Sequence, residues 1–409
     1  MNSLIMLPRR VVLKLEEGRE PFVYTLLTFF TAITFRNFFE ILSSRARFSL
    51  QAFWHYDLSY IALALSLILV FQLFEGRGFV KTARIVLPGF LILNLVPLFD
   101  FVWSHGQGIP ILYMEGPAAR LFYRYLSFFG SLKQMGVTIG MRIEIGLVVI
   151  FSFIYMYQKT SLLIRSLLFS WSIYTLLFVY CAFPFWVHTF LRIFNASYQE
   201  PNIALSAFFI FLICFLGGGC FFFCERKTIL PAVRPIKPFL LLGYEFMYFV
   251  GLIYGDHCSG VPLQTEIVLT ALVMMLGIFF SWLFEVLNNP VHAKGARPTA
   301  FHKTLSLASA SAALAAGASA GPFSFYCILM LLCSSVIYLM PPVSLWRFPV
   351  ISRIPVAINT LTLILAGLVQ MTVNHTELST KSIAILMLTV TASASLSDAL
   401  KLLLRKKRS

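Results

Sequence analysis

Apolar runs of close to 20 residues recur along nearly the whole chain, separated by short polar or basic stretches. A run of that length is what a helix needs to cross the hydrocarbon layer of a membrane. By length and hydropathy the pattern predicts about twelve helices, with cores at 22–42, 58–75, 85–104, 143–158, 161–183, 203–224, 238–254, 265–287, 304–320, 323–340, 354–373 and 381–400. Short alternating strands of the outer-membrane barrel type are not visible. Residues 117–137 behave differently: Arg120, Arg124 and Lys133 interrupt their apolar face, so they read as an amphipathic helix lying at the interface. The predicted fold class is therefore all-α, a polytopic transmembrane helical bundle.

Composition agrees and narrows the class. Hydrophobic residues make up 59% and charged residues 12%, against about 25% charged in a soluble domain. The net charge of +15 does not point to nucleic acid, because the basic residues sit in short clusters between the apolar runs, where the positive-inside rule already accounts for them. Arg226, Lys227, Arg234 and Lys237 form one such cluster, Lys294, Arg297 and Lys303 a second, Arg347 and Arg353 a third, and Lys401 to Arg408 a fourth. The intervening loops, 255–264 and 373–380, carry no Lys or Arg. That alternation places the basic loops and the C-terminus in the cytoplasm, and the even helix count places the N-terminus there as well. The first 20 residues are charged and lack the apolar core of a signal peptide, and are expected to lie at the cytoplasmic interface. The seven cysteines fall mostly inside apolar runs with no CxxC spacing, so packing is expected of them rather than redox or metal chemistry.

A polar, proline-containing break near Glu225 to Lys237 divides the chain into an N-terminal transmembrane domain, 1–224, and a C-terminal one, 225–409. The first matches no recognisable pattern. It does not repeat in the second, so an inverted-repeat transporter is not supported.

The second half carries four ordered motifs. Arg234-Pro235 precedes its first helix. Asn288-Asn289-Pro290-Val291-His292 ends the second helix, and Arg297-Pro298 follows. Then comes Tyr338-Leu-Met-Pro341-Pro342-Val-Ser-Leu-Trp346-Arg347-Phe-Pro349, which a helix cannot traverse. In order, interval and predicted cytoplasmic placement this set resembles the UbiA-type membrane prenyltransferases. That family has an Asn-Asp-x-x-Asp motif at the first of these helix ends and a Tyr-Ser-x-Pro-Pro-Leu-Arg-Leu-Lys-Arg-x-Pro loop at the second. The resemblance implies a helical cleft for an isoprenoid tail. It also implies two acidic clusters that hold Mg²⁺ against the departing diphosphate.

The acids are largely replaced here. Asn289 and His292 stand at the two Asp positions, and the last predicted helix offers Asp398 alone, eleven residues before Ser409. Asn is a weak and His a poor Mg²⁺ ligand. The resemblance nominates Asn288, Asn289, His292, Lys294, Arg297, Tyr338, Arg347 and Asp398 as a substrate-binding set, with no catalytic residue and no metal ligand assigned. The expected function is a lipid-binding or scaffold subunit of a membrane assembly. Its partners would be a membrane lipid or isoprenoid, together with a protein that closes the shortened second domain. The alternative is a divergent prenyl or polyprenyl-phosphate transferase, and only that reading requires Mg²⁺.

Four further acids lie in or beside apolar segments, where an ionisable residue is a functional candidate. Glu40 has Arg36 at i,i+4 spacing and can pair within its own helix. Glu285 is expected to pair with another helix, and Glu245 and Asp100, close to segment ends, to make structural polar contacts. Glu285, Asn289 and His292 share one side of a helix end and would also suit a transition metal. The run Ser306 to Gly321 is almost all Ala, Ser and Gly, which predicts close helix packing and leaves open a second use, room for a lipid tail.

Overall fold

The computed structural model describes residues 21–44, 50–76, 78–107, 109, 112–130, 137–197, 201–233, 238–259, 264–288, 300–339 and 353–372. Among these the chain is helical, with no strand. Nine of the described helices are long and apolar enough to cross a membrane. Their outward faces carry large apolar side chains: Phe215 is 79% exposed, and Ile164 and Leu73 are similarly bare. A soluble protein does not leave such a surface uncovered, whereas lipid is its natural solvent. The chain is a polytopic integral membrane protein. Of the twelve predicted cores, eleven fall on described helices, and 381–400 lies outside the described residues.

The helices form two compact units. The first comprises residues 1–197 and 211–226, the second 198–210 and 227–409.

In the first unit α1 (Phe22–Ser44) and α2 (Leu50–Glu75) are followed by a broken third span. This consists of α3 (Phe79–Gly89), a 3-10 turn (Phe90–Asn94) and α4 (Leu95–Trp103). Pro88 and Pro97 each lack an amide hydrogen, so the α-helical ladder cannot run through this stretch unbroken. The interfacial α5 (Ala118–Leu126) is shorter than its sequence pattern predicts. It ends because Phe128, Phe129 and Gly130 take positive φ and fold back, with the Phe129 amide on the Arg124 carbonyl. Then come α6 (Ile139–Thr160) and α7 (Leu163–Cys181), which pack together and are separated by Ser161 in a left-handed conformation. The short α8 (Phe183–Ile193), missed by hydropathy, begins at a Pro184 placed in its first turn. The long α9 (Pro201–Val233) has residues in both units.

The second unit holds α10 (Pro238–Ser259), α11 (Thr265–Asn288), α12 (Ala300–Ala320), α13 (Pro322–Leu339) and α14 (Arg353–Thr372). Small residues set its crossings. A Cβ on Gly251 would lie 2.2 Å from the Ile364 carbonyl oxygen, and one on Gly367 would lie 2.3 Å from that of Tyr248. The backbones of α10 and α14 are thus in contact. Gly277 of α11 and Gly317 of α12 both admit Ile328 of α13, which is fully buried. The small-residue run of α12 therefore serves close packing.

Candidate functional site

Within the first unit the helices leave a cavity of about 100 Å³. Several local features fix its walls. The start of α6 is capped twice: the Thr138 hydroxyl accepts from the Met141 amide at 3.1 Å, and the Asp100 carboxylate on α4 accepts from the Gly140 amide at 2.9 Å. Gly140 is required at that crossing, because a Cβ there would sit 2.6 Å from the Val96 carbonyl oxygen. Asp100, expected to make a structural polar contact, is an N-cap supplied by another helix. It brings Glu144, one turn further along α6, to the cavity wall.

Opposite stands Arg36 of α1, 4% exposed and ion-paired with Glu40 one turn later, as their spacing predicts. Its guanidinium lies 5.4 Å from the centre of the Tyr60 ring, a cation–π contact. Glu144 and Asp100 also lie within electrostatic reach of Arg36. Three carboxylates, Glu40, Asp100 and Glu144, thus surround one arginine. The Arg36 Nε has no hydrogen-bond partner.

Tyrosines complete the lining. The loop after α4 is tied down by the Met114 amide, which donates to the Cys181 carbonyl at 2.8 Å, with Met114 fully buried. This holds Tyr113 over the cavity, stacked on Tyr56 at 6.0 Å and hydrogen-bonded to His55 Nε2 at 2.7 Å. Burial pushes the Tyr113 phenol well above its ordinary pKa, so it remains a neutral hydroxyl. Tyr60 and Tyr180 line the cavity too, the latter hydrogen-bonded to Ser66 at 2.8 Å.

Most of the lining sits near the ends of spans. Glu144 lies five residues into α6, about 7.5 Å from its end. Tyr56 and Tyr60 lie near the start of the apolar span Ala52–Glu75, Arg36 in the last third of the span Phe22–Leu42, and Cys181 at the end of α7. All these are neighbouring ends of spans. The apolar residues Met141, Ile145 and Leu177 line the cavity at the same level, and Leu63 and Leu93 lie deeper in theirs. The arrangement is a chamber of mixed polar and apolar walls.

Comparison with family models, with curated proteins and with solved structures returns no match. Geometry alone therefore ranks the sites.

The second unit has a counterpart of about 10 Å³, close to the space of a single water. It is lined by Tyr244, Ser281, Glu285, Ser335 and Asn359, among others. Glu285 accepts a hydrogen bond from the Tyr244 hydroxyl at 3.1 Å, so it does contact a neighbouring helix, α10. Tyr338 lies within electrostatic range of Glu285. Asn288, one turn on, donates to the Phe284 carbonyl at 2.8 Å and to the Ser306 hydroxyl at 2.5 Å, which joins α11 to α12. Glu245 makes no hydrogen bond through its Oε2. Of the residues nominated from sequence, Asn288 and Tyr338 are described. Asn289, His292, Lys294, Arg297, Arg347 and Asp398, and Arg234 with them, lie outside the described residues. Among the described residues no group of three His, Cys, Asp or Glu is placed to share a metal ion.

The sequence analysis overlooked Glu144, Tyr56, Tyr60 and Tyr113. The signal available was Glu144 itself, a carboxylate inside the apolar run 139–160. The cluster His55-Tyr56-Asp57 with Tyr60, heading the next apolar run after Arg36, was a second. Neither indicates that the two meet, since they are some 85 positions apart.

Proposed function

We propose that this chain is a lipid-binding membrane protein whose second unit is a UbiA-like domain with replaced metal ligands, acting as a helical scaffold. The observation that carries this reading is the first unit's cavity, whose charged and phenolic residues lie near the ends of apolar spans beside apolar side chains, with Leu63 and Leu93 deeper. That mixture suits an amphiphile. The described helices of the second unit close on one another at glycine, which favours a supporting role. Asn288, spent on joining α11 to α12, fits the same role.

On this reading the cytoplasmic residues nominated from sequence, including Lys294, Arg297 and Arg347, would hold a phosphate headgroup through charge without cleaving it. A protein partner would cover the shortened second domain. Both termini are assigned to the cytoplasm, and reporters fused after Ser409 and within 255–264 should give opposite signals.

The test of function is twofold. The chain purified in mild detergent should retain a stoichiometric amphiphile detectable by mass spectrometry of the intact complex. Incubated with prenyl diphosphates, Mg²⁺ and a panel of acceptors, it should release no diphosphate. Metal-dependent release abolished by Asp398→Asn would overturn the scaffold reading and establish a transferase.

A further inference from the structure

The first unit's cavity has more acidic groups about it than its Arg36–Glu40 ion pair uses. Arg36 is neutralised by Glu40 within its own helix, and Glu144 faces the cavity as a further carboxylate, with Asp100 in reach behind it. A phosphate or diphosphate placed here would face these carboxyl groups in a medium of low dielectric, with Arg36 the one Lys or Arg among the lining residues. A cation would suit them better. The remaining walls suit a cation as well: Tyr56, Tyr60, Tyr113 and Tyr180 are among the lining residues, and aromatic rings attract alkylammonium groups, more so when water is excluded. One donor is left over. The Arg36 Nε, on a side chain 96% buried, has no partner and requires an acceptor. The chamber thus offers the Glu144 carboxyl group and phenolic rings to a positive group, and Arg36 to an oxygen.

We propose that this cavity binds a protonated amine attached to an apolar tail, with the ammonium on Glu144 and the tyrosine rings and a nearby ligand oxygen on Arg36. The proposal rests on the lipid-binding reading and narrows it to one headgroup chemistry. Two sources share that chemistry, an aminophospholipid and a free long-chain amine or amino alcohol. The position of the chamber about two turns or less from the ends of its spans places such a headgroup at its normal depth, with the tail running past Leu63 and Leu93.

The experiment titrates the full chain in a neutral detergent with four probes: phosphatidylethanolamine, dodecylamine, phosphatidylglycerol and dodecanol. Bound stoichiometry is read by native mass spectrometry. At least one amine should bind one-to-one and about tenfold more tightly than phosphatidylglycerol or dodecanol, the worth of one partly desolvated cation contact. Binding of phosphatidylethanolamine alone identifies a lipid headgroup, and binding of dodecylamine alone a free amine. Glu144→Gln, close to isosteric, should remove the preference. Leu112→Trp, at an exposed rim position of the cavity, should block entry without touching a charge. Glu285→Gln in the second unit should change neither. Thermal unfolding midpoints confirm that each variant is folded. Should phosphatidylglycerol or dodecanol bind as well as the amines, with Leu112→Trp still blocking, the amine proposal fails and the lipid-binding reading stands. Should no probe bind to a chain with an intact midpoint, both fail.

Discussion

In the second unit helices meet where side chains are missing. Gly251 and Gly367 bring two backbones together, Gly277 and Gly317 receive Ile328, and the intramembrane Glu285 is matched by the Tyr244 hydroxyl. The first unit has one such crossing, at Gly140, but around its cavity the helices carry bulk and charge: Arg36, Tyr56, Tyr60 and Glu144 line the space, and the third span is broken by Pro88 and Pro97. The contrast shows how a bilayer protein divides its labour. Without a hydrophobic force between helices, closeness must come from small residues, so a region that lacks them is either loosely packed or filled by something else.

The comparison can be broken first at the charges. Arg36→Met leaves Glu40 buried without its cation and should cost about 3–5 kcal/mol, whereas pairing it with Glu40→Gln should recover most of the loss. Unfolding in detergent reads both variants. Equal stability of the single and double variants would show that the pair is not buried as described.

Next come the contacts in the second unit. Gly251→Ala or Gly367→Ala drives a methyl group into a facing backbone and should cost about 3 kcal/mol. Gly218, inside α9 with nothing within 4 Å of its would-be Cβ, is the control. There the same substitution should be neutral or stabilise by up to about 1 kcal/mol through helix propensity. A similar response at all three glycines would remove the distinction between closed and open crossings.

Asp100→Ala deletes one of the two caps on α6 and should cost about 1 kcal/mol. It should also loosen the position of Glu144, so amine binding is expected to fall more than stability does. The smallest effect is expected at Tyr248→Phe. This removes the Tyr248–Gln370 hydrogen bond, while Gln370 keeps the Ile267 carbonyl at 3.2 Å. Hydrogen bonds between membrane helices average roughly 0.6 kcal/mol, and ligand binding in the first unit should be unaffected.

The sequence made some of this plain and hid the rest for identifiable reasons. Span number and position follow from hydropathy, because every backbone polar group in a bilayer must be satisfied within its own helix. Arg36–Glu40 was visible because i,i+4 neighbours touch whatever the tertiary fold. The packing role of the Ser306 to Gly321 run was visible because small side chains have few other uses inside a bundle. The cavity was not. It joins α1, α2, the loop after α4, α6 and α7, and no periodicity within a helix reports which face meets which partner. The break in the third span was legible only in part: Pro88 and Pro97 mark it, but hydropathy runs smoothly across them. The end of α5 depends on two phenylalanines at positive φ, residues that seldom adopt it.

The Arg36–Glu40 pair has one more consequence, for biosynthesis. The cavity needs five spans, and Met114 cannot meet Cys181 until the chain has been made at least that far. The first span must enter the membrane long before Glu144 exists. An arginine within a single inserting helix opposes entry by about 2.5–3.5 kcal/mol at mid-bilayer, and a carboxylate one turn away lets the helix leave the translocon as a self-neutralised unit. Glu40→Ala should therefore lower insertion of an isolated 21–44 segment in a glycosylation-mapping assay, before any tertiary structure can form. An undiminished yield would show that the pairing matters only in the folded protein.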